Sequence, residues 1–192
     1  MKRAELVAIG ASLGGLNALF AVLRSLPPDL PVPIVMVQHR GTASDGALVD
    51  LLQKTTQLRV VEADDKVALE PGTLYVAPPD YHLLVEDRGS LALSTEAPVR
   101  SARPSIDVLF ETAADAYGRT LVGVLLTGAS ADGAAGLARI KARGGRAIVQ
   151  DPETAECATM PAAGIAATAV DYVLPLERIG EHLVAMIEGT RA

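Results

Sequence analysis

The sequence predicts an α/β fold, a doubly wound and mainly parallel sheet with helices on both faces and one small antiparallel hairpin. Three observations lead there. Apolar runs such as "LVAIGA", "VPIVMVQ" and "TLVGVLLTG" are continuous rather than alternating, as in strands buried on both faces. These runs alternate with helix-length segments along the chain. Apolar residues make up 49% of the sequence and aromatic ones only 3%, so the core is built from Ala, Val, Leu and Ile, which suits helices packed on an aliphatic sheet. The 192 residues fit one domain, 1–192, with no internal repeat, low-complexity segment or linker. Together these features describe a Rossmann-like three-layer sandwich.

The elements follow in order. Glu5 to Ile9 reads as a buried strand, and Gly14 to Ser25 as a helix stopped by Pro27-Pro28. Val32 to Gln38 is a second strand. Ser44 to Thr55 is helical, with Leu48, Leu51 and Leu52 on one face. "LRVVEA" and "TLYVAPP" are strands, and "HLLVEDRGSLALS" is a hairpin turning at Asp87 to Ser90. Pro104 to Tyr117 is a helix with Pro104 near its first turn. Thr120 to Gly128 is the strongest buried strand, followed by a helix from Asp132 to Arg143. "GGRAIVQ" is a strand, Pro161 starts a short helix, "DYVLP" is a short strand, and Leu176 to Ile187 closes the chain as an amphipathic helix.

Composition excludes several classes. A net charge of −6 argues against nucleic-acid binding, which needs phosphate-neutralising Lys and Arg. Cys157 is the one cysteine, so no internal disulfide forms, in keeping with a reducing, cytoplasmic setting. No Cys/His cluster has zinc-ligand spacing and no P-loop is present, so no metal site is expected. Lys2 and Arg3 precede an uncharged stretch from Leu6 to Leu23, a superficial match to a targeting segment. Glu5 at its edge, with Gly10, Ser12, Gly14, Gly15 and Asn17 inside it, fits strand, turn and helix better, so membrane insertion is not expected.

In open parallel sheets, sites form at the carboxyl ends of the strands. The loop after the first strand holds Ser12, the second strand ends in Gln38-His39-Arg40, and the strong later strand runs into Gly128-Ala129-Ser130-Ala131-Asp132-Gly133. Gly10 to Gly15 nearly fits the dinucleotide fingerprint, but Ser12 takes the place of its middle glycine. Gln38-His39 also stands where an acid should bind ribose. Nucleophilic catalysis accounts for the same residues. His39 would take the Ser12 proton, Asp132 would hold the imidazole, and the amide of Leu13, at a helix N-terminus, would bind an oxyanion. The order Ser, His, Asp differs from α/β-hydrolases, where the acid precedes the histidine. Taken singly, Ser12 reads as a helix cap, His39 as a loop histidine and Asp132-Gly133 as a turn; only the combination points to chemistry. His82, after "APPDY", competes as a cleft histidine, and His182, beside Glu181, reads as solvated.

Several segments in this order resemble the catalytic domain of CheB-type protein-glutamate methylesterases: "IGASLGG", "VMVQHR", "GTLYVAPPDYHL", "RPSIDVLFETAADAYG", "GVLLTGASADGAAGL", "GGRAIVQDPETAECATMPAAGIA" and "DYVLPLERI". The resemblance implies a cytoplasmic serine hydrolase of chemotaxis that cleaves glutamate methyl esters on chemoreceptor cytoplasmic helices. It also implies deamidation of certain receptor glutamines, with no metal or organic cofactor. Its triad maps onto Ser12, His39 and Asp132. A second oxyanion amide falls near Ala129, and Gly128, Arg40 and His82 are candidate cleft residues. Several positions depart from the family pattern: Leu13 replaces the usual threonine, Arg40 a methionine, and in the loop before the aspartate, usually G-M-G-N-D-G, Ala129 stands for the methionine and Ala131 for the asparagine. The altered lining keeps open a catalytically weak binding module for a receptor or signalling partner, or an esterase with another substrate. Family enzymes usually carry an N-terminal receiver domain. Here the first strand begins almost at Met1, which fits either a standalone member or a piece of a longer protein; no receiver domain and no phosphorylation control are expected within these residues, and a separate regulatory receiver protein is a candidate partner.

Overall fold

The computed structural model describes residues 3–40, 47–87 and 89–189. Among them the chain forms β1 (Leu6–Ala11), α1 (Gly15–Arg24), β2 (Ile34–Gln38), α2 (Ala47–Gln53), β3 (Arg59–Glu62), β4 (Thr73–Val76), β5 (His82–Val85) and β6 (Leu91–Ser94). The second half adds α3 (Ile106–Tyr117), β7 (Leu121–Leu125), α4 (Ala134–Ala142), β8 (Arg146–Gln150), α5 (Thr159–Ala167), β9 (Tyr172–Leu174) and α6 (Leu176–Glu188).

Seven strands form one sheet in the order β3-β4-β2-β1-β7-β8-β9, every neighbouring pair parallel. β5 and β6 pair antiparallel as a separate hairpin, His82 opposite Ser94. The continuous apolar runs are explained by burial on both faces. Along β1, Val7, Ile9 and Ala11 enter one core while Leu6 and Ala8 enter the other. The first core is covered by α1 and α6 with Leu52 of α2. The second is covered by α3, α4, Met160 of α5 and the hairpin residues Leu83, Val85 and Leu91. On α1 the buried set Gly15, Ala18, Leu19, Val22 and Leu23 recurs at helical spacing. Each fully buried leucine contributes roughly 1.5–3 kcal/mol.

The winding positions the site. From β1 the chain moves outward through β2 to β3 and β4, then returns to the opposite side of β1 as β7. The crevice therefore opens where β1 and β7 end side by side. Pairing continues past the strand ends: Ser12 N–H donates to Thr127 O (3.0 Å), and His39 N–H donates to Ala11 O (3.0 Å). Three functional loops thus leave adjacent, hydrogen-bonded strand ends. α3 lies across β1 at Gly10, where a Cβ would fall 2.3 Å from Ile106 Cγ2. A larger residue there would press on the Ile106 side chain at the start of the helix.

Some boundaries differ from the sequence expectation. α3 begins at Ile106 rather than Pro104, because Ser105 stays extended (φ −103°, ψ 137°) and accepts the Val108 N–H as N-cap. α5 begins two residues before Pro161, leaving the proline in a first turn whose N–H groups need no helical partner. Leu51 is exposed while Leu52 is buried, so the buried face of α2 is narrower than expected. Residues 44–46 of the expected second helix, and Arg88 of the expected hairpin turn, lie outside the described residues.

Candidate active site

Ser12 is the first residue beyond β1, held between β1 and the helix that starts at Gly15. Its hydroxyl lies 3.2 Å from His39 Nδ1, and His39 Nε2 lies 2.7 Å from Asp132 Oδ2. An ionised carboxylate only accepts, so Nε2 carries the imidazole proton and Nδ1 presents its lone pair to the serine O–H. The serine faces an open cleft of about 440 Å³ that Leu13, Gln38, His39 and Glu156 help to line.

Asp132 is fully buried, yet it is held as a carboxylate. Its Oδ1 accepts from Ser105 Oγ–H (2.8 Å) and Asp107 N–H (3.0 Å). Its Oδ2 accepts from Ile106 N–H (2.7 Å) as well as from His39. Burial pushes its pKa up, and the bonds from His39, from the Asp107 and Ile106 amides and from Ser105 more than offset this. The carboxyl ends below its usual range. Two of those donors are amides of the first turn of α3, whose unpaired N–H groups favour an anion. Asp107 behaves oppositely. Burial and the neighbouring Asp132 charge raise its pKa against the Gly136 amide and Arg100, which lower it.

Comparison with known proteins fits this arrangement. A sequence model described as CheB methylesterase matches residues 7–183. The chain belongs to the CheB methylesterase family. A Leptospira interrogans protein, provisionally named protein-glutamate methylesterase/protein-glutamine glutaminase, is 50% identical over 182 residues, covering 95% of this chain and 94% of that protein. The protein-glutamate methylesterase FrzG of Myxococcus xanthus is 43% identical over 95% of this chain; the match spans 55% of FrzG, about half its length. The crystal structure of the Thermotoga maritima CheB methylesterase catalytic domain superposes with a TM-score of 0.91 at 35% identity, over 96% of this chain and all of that domain.

Leu13 and Ala129, expected to depart from the family pattern, both lie beside the serine. Leu13 is 56% exposed, while its carbonyl accepts the Thr127 hydroxyl at 2.9 Å. A change of side chain at this position therefore alters the cleft rim and leaves the backbone anchored. The Leu13 and Ala129 amides find no acceptor among the described residues. The Gly128 carbonyl accepts Met160 N–H at 2.9 Å, which turns the next amide, that of Ala129, to the other side. Gly128 itself backs the serine: a Cβ there would fall 2.5 Å from Met160 Cε and 2.9 Å from Ser12 Cβ.

Three expectations need correction. Arg40 does not point into the cleft; its guanidinium bonds Glu62 Oε2 (2.9 Å) and Ala77 O (3.1 Å) beyond β3 and β4. His82 is buried away from the cleft, its Nδ1 accepting Ser105 N–H (3.2 Å) and its Nε2 donating to Ala97 O (3.2 Å). With both nitrogens engaged it serves as a support for Ser105, not as a base. His182 is half-buried, edge-on to Tyr172 at 5.0 Å. Sequence reasoning missed Ser105, Thr127 and Glu156. Ser105 carries a readable cap signal just before a helical run, but its reach to Asp132 arises only on folding.

Proposed function

We propose that this CheB-family chain is a serine hydrolase that removes methyl groups from glutamate methyl esters of chemoreceptor cytoplasmic helices, with Ser12 as nucleophile. The unbroken Ser12–His39–Asp132 hydrogen-bond chain at the mouth of an open cleft carries this reading. Ser12 Oγ attacks the ester carbonyl while its proton passes to His39 Nδ1. The resulting imidazolium is stabilised through Nε2–H by the Asp132 carboxylate, itself held by four donors. The Leu13 and Ala129 amides hold the oxyanion of the tetrahedral intermediate. His39 returns the proton to the departing methoxide, releasing methanol. Water then attacks the acyl-enzyme with His39 again as base, and glutamate and free Ser12 result. A receptor glutamine follows the same path with ammonia leaving.

The names of the relatives support both activities, the methylesterase and the glutaminase. No helix among the described residues is long and apolar enough to cross a membrane. We place the enzyme in the cytoplasm, where receptor methylation helices lie. The test is methanol release from methylated receptor. Wild type releases methanol and Ser12→Ala falls by at least about 10³-fold, as for loss of a triad member. Equal release by the two overturns Ser12 as nucleophile. Release by wild type from small esters but not from receptor assigns a different substrate.

A further inference from the structure

One side-chain amide touches both halves of the reacting pair. Gln38 is the last residue of β2, and its Nε2 donates to the carbonyl oxygens of Ser12 (2.8 Å) and His39 (3.0 Å). Both amide hydrogens are spent on the backbone of the nucleophile and of its base. The other end of the amide, Oε1, is buried without a partner, an arrangement that costs free energy and that folded proteins seldom keep. α1 makes room for it with Gly15, where a Cβ would fall 2.1 Å from Oε1. The Gly15 N–H donates to the same Ser12 carbonyl at 2.8 Å.

The consequence lies in the next peptide group. The Ser12–Leu13 bond is trans, so the Leu13 N–H points opposite to the Ser12 carbonyl. Holding that carbonyl inward aims the N–H outward, where it meets no acceptor among the described residues. We propose that Gln38 is a positioning residue: its single amide group aims the Leu13 N–H at the oxyanion and fixes the backbone of His39 in the same stroke. The assignment rests on the acyl-enzyme reading above. It differs from a plain structural tie between β1 and β2, which would affect stability and leave the transition state untouched.

Two variants test it. Gln38→Met keeps the unbranched length and packing but has no donor. Gln38→Glu keeps the shape and turns acceptors toward two carbonyls. Both are assayed below their own unfolding temperatures for methanol release and for the rate at which a fluorophosphonate labels Ser12. In Gln38→Met, kcat falls about 10- to 100-fold with KM within about twofold, because a misaimed oxyanion donor is felt in the transition state alone. Labelling slows by a similar factor, since the phosphoryl oxygen uses the same donors. Gln38→Glu is at least as slow at neutral pH and regains part of the loss as its carboxyl is protonated and becomes a donor. Folded Gln38→Met with kcat within about threefold of wild type, or a rise in KM at constant kcat, overturns the assignment. A wild type inactive on methylated receptor overturns the proposed function instead, and the labelling rates still decide on Gln38.

Discussion

Two histidines follow strand-like segments in this chain, and their hydrogen bonds separate them. His39 offers Nδ1 to a serine hydroxyl across an open cleft, while both nitrogens of His82 are consumed inside the protein. His39→Ala removes the base and is expected to lower methanol release by about 10³-fold or more while the protein stays folded. His82→Leu leaves the Ser105 N–H buried and unpaired, costing about 1–3 kcal/mol, and keeps most of the activity of the folded protein. Thermal unfolding and methanol release, measured on both, give opposite rankings; an inactive, stable His82→Leu would make His82 part of the chemistry. Ser12, His39 and Asp132 were readable because each sits one loop beyond a strong strand, where parallel sheets expose side chains. Gln38 and Ser105 were not. Their roles are bonds to backbone and to a buried carboxylate across the fold, and no spacing along the chain encodes those.

At the level of elements, strand identity was legible from unbroken apolar runs, and strand ends were less so. The uncharged run Thr120 to Gly128 reads as one strand, yet β7 ends at Leu125; hydrogen bonds to the end of β1 continue to Thr127, and the residues beyond turn to build the site. Thr127 is the clearest case. Its single O–H is shared between Leu13 O (2.9 Å) and Cys157 O (3.2 Å), and its oxygen accepts Cys157 N–H (2.8 Å), tying the β1, β7 and β8 loops together. Gly128 is where this junction leaves no space for a side chain. Gly128→Ala would press on both the Met160 side-chain tip and Ser12 Cβ, so Met160 must swing aside and Ser12 must give by a few tenths of an ångström. The expected result is a loss of about 1–3 kcal/mol of stability together with a fall of about 10-fold or more in kcat. Denaturant unfolding and methanol release measure the two. Destabilisation with kcat unchanged would mean that Met160 alone gives way and Ser12 keeps its place.

Across the whole molecule, the same winding that forms the crevice drives a carboxylate into the core, and this couples the site to acid stability. Asp132 titrates below its unfolded range, so its contribution to stability is fully present above the ordinary carboxylate pKa of about 4 and is lost as pH falls through the lower folded value. Asp107 opposes it. Its raised pKa makes its charge a cost at neutral pH that protonation relieves. Ser105 supports the Asp132 carboxylate and also caps α3, and pH tells those two roles apart. In Ser105→Ala the folded pKa of Asp132 moves back up toward its ordinary value. At neutral pH the loss is about 1.5–3 kcal/mol, as for a hydrogen bond to a charged group. As pH falls and Asp132 is protonated in both proteins, the difference narrows, while the acid unfolding midpoint of the variant lies at higher pH. Urea unfolding of wild type and variant from neutral to acid pH measures this. A difference constant over that range would reduce Ser105 to a helix cap and leave the two α3 amides and His39 to hold the carboxylate.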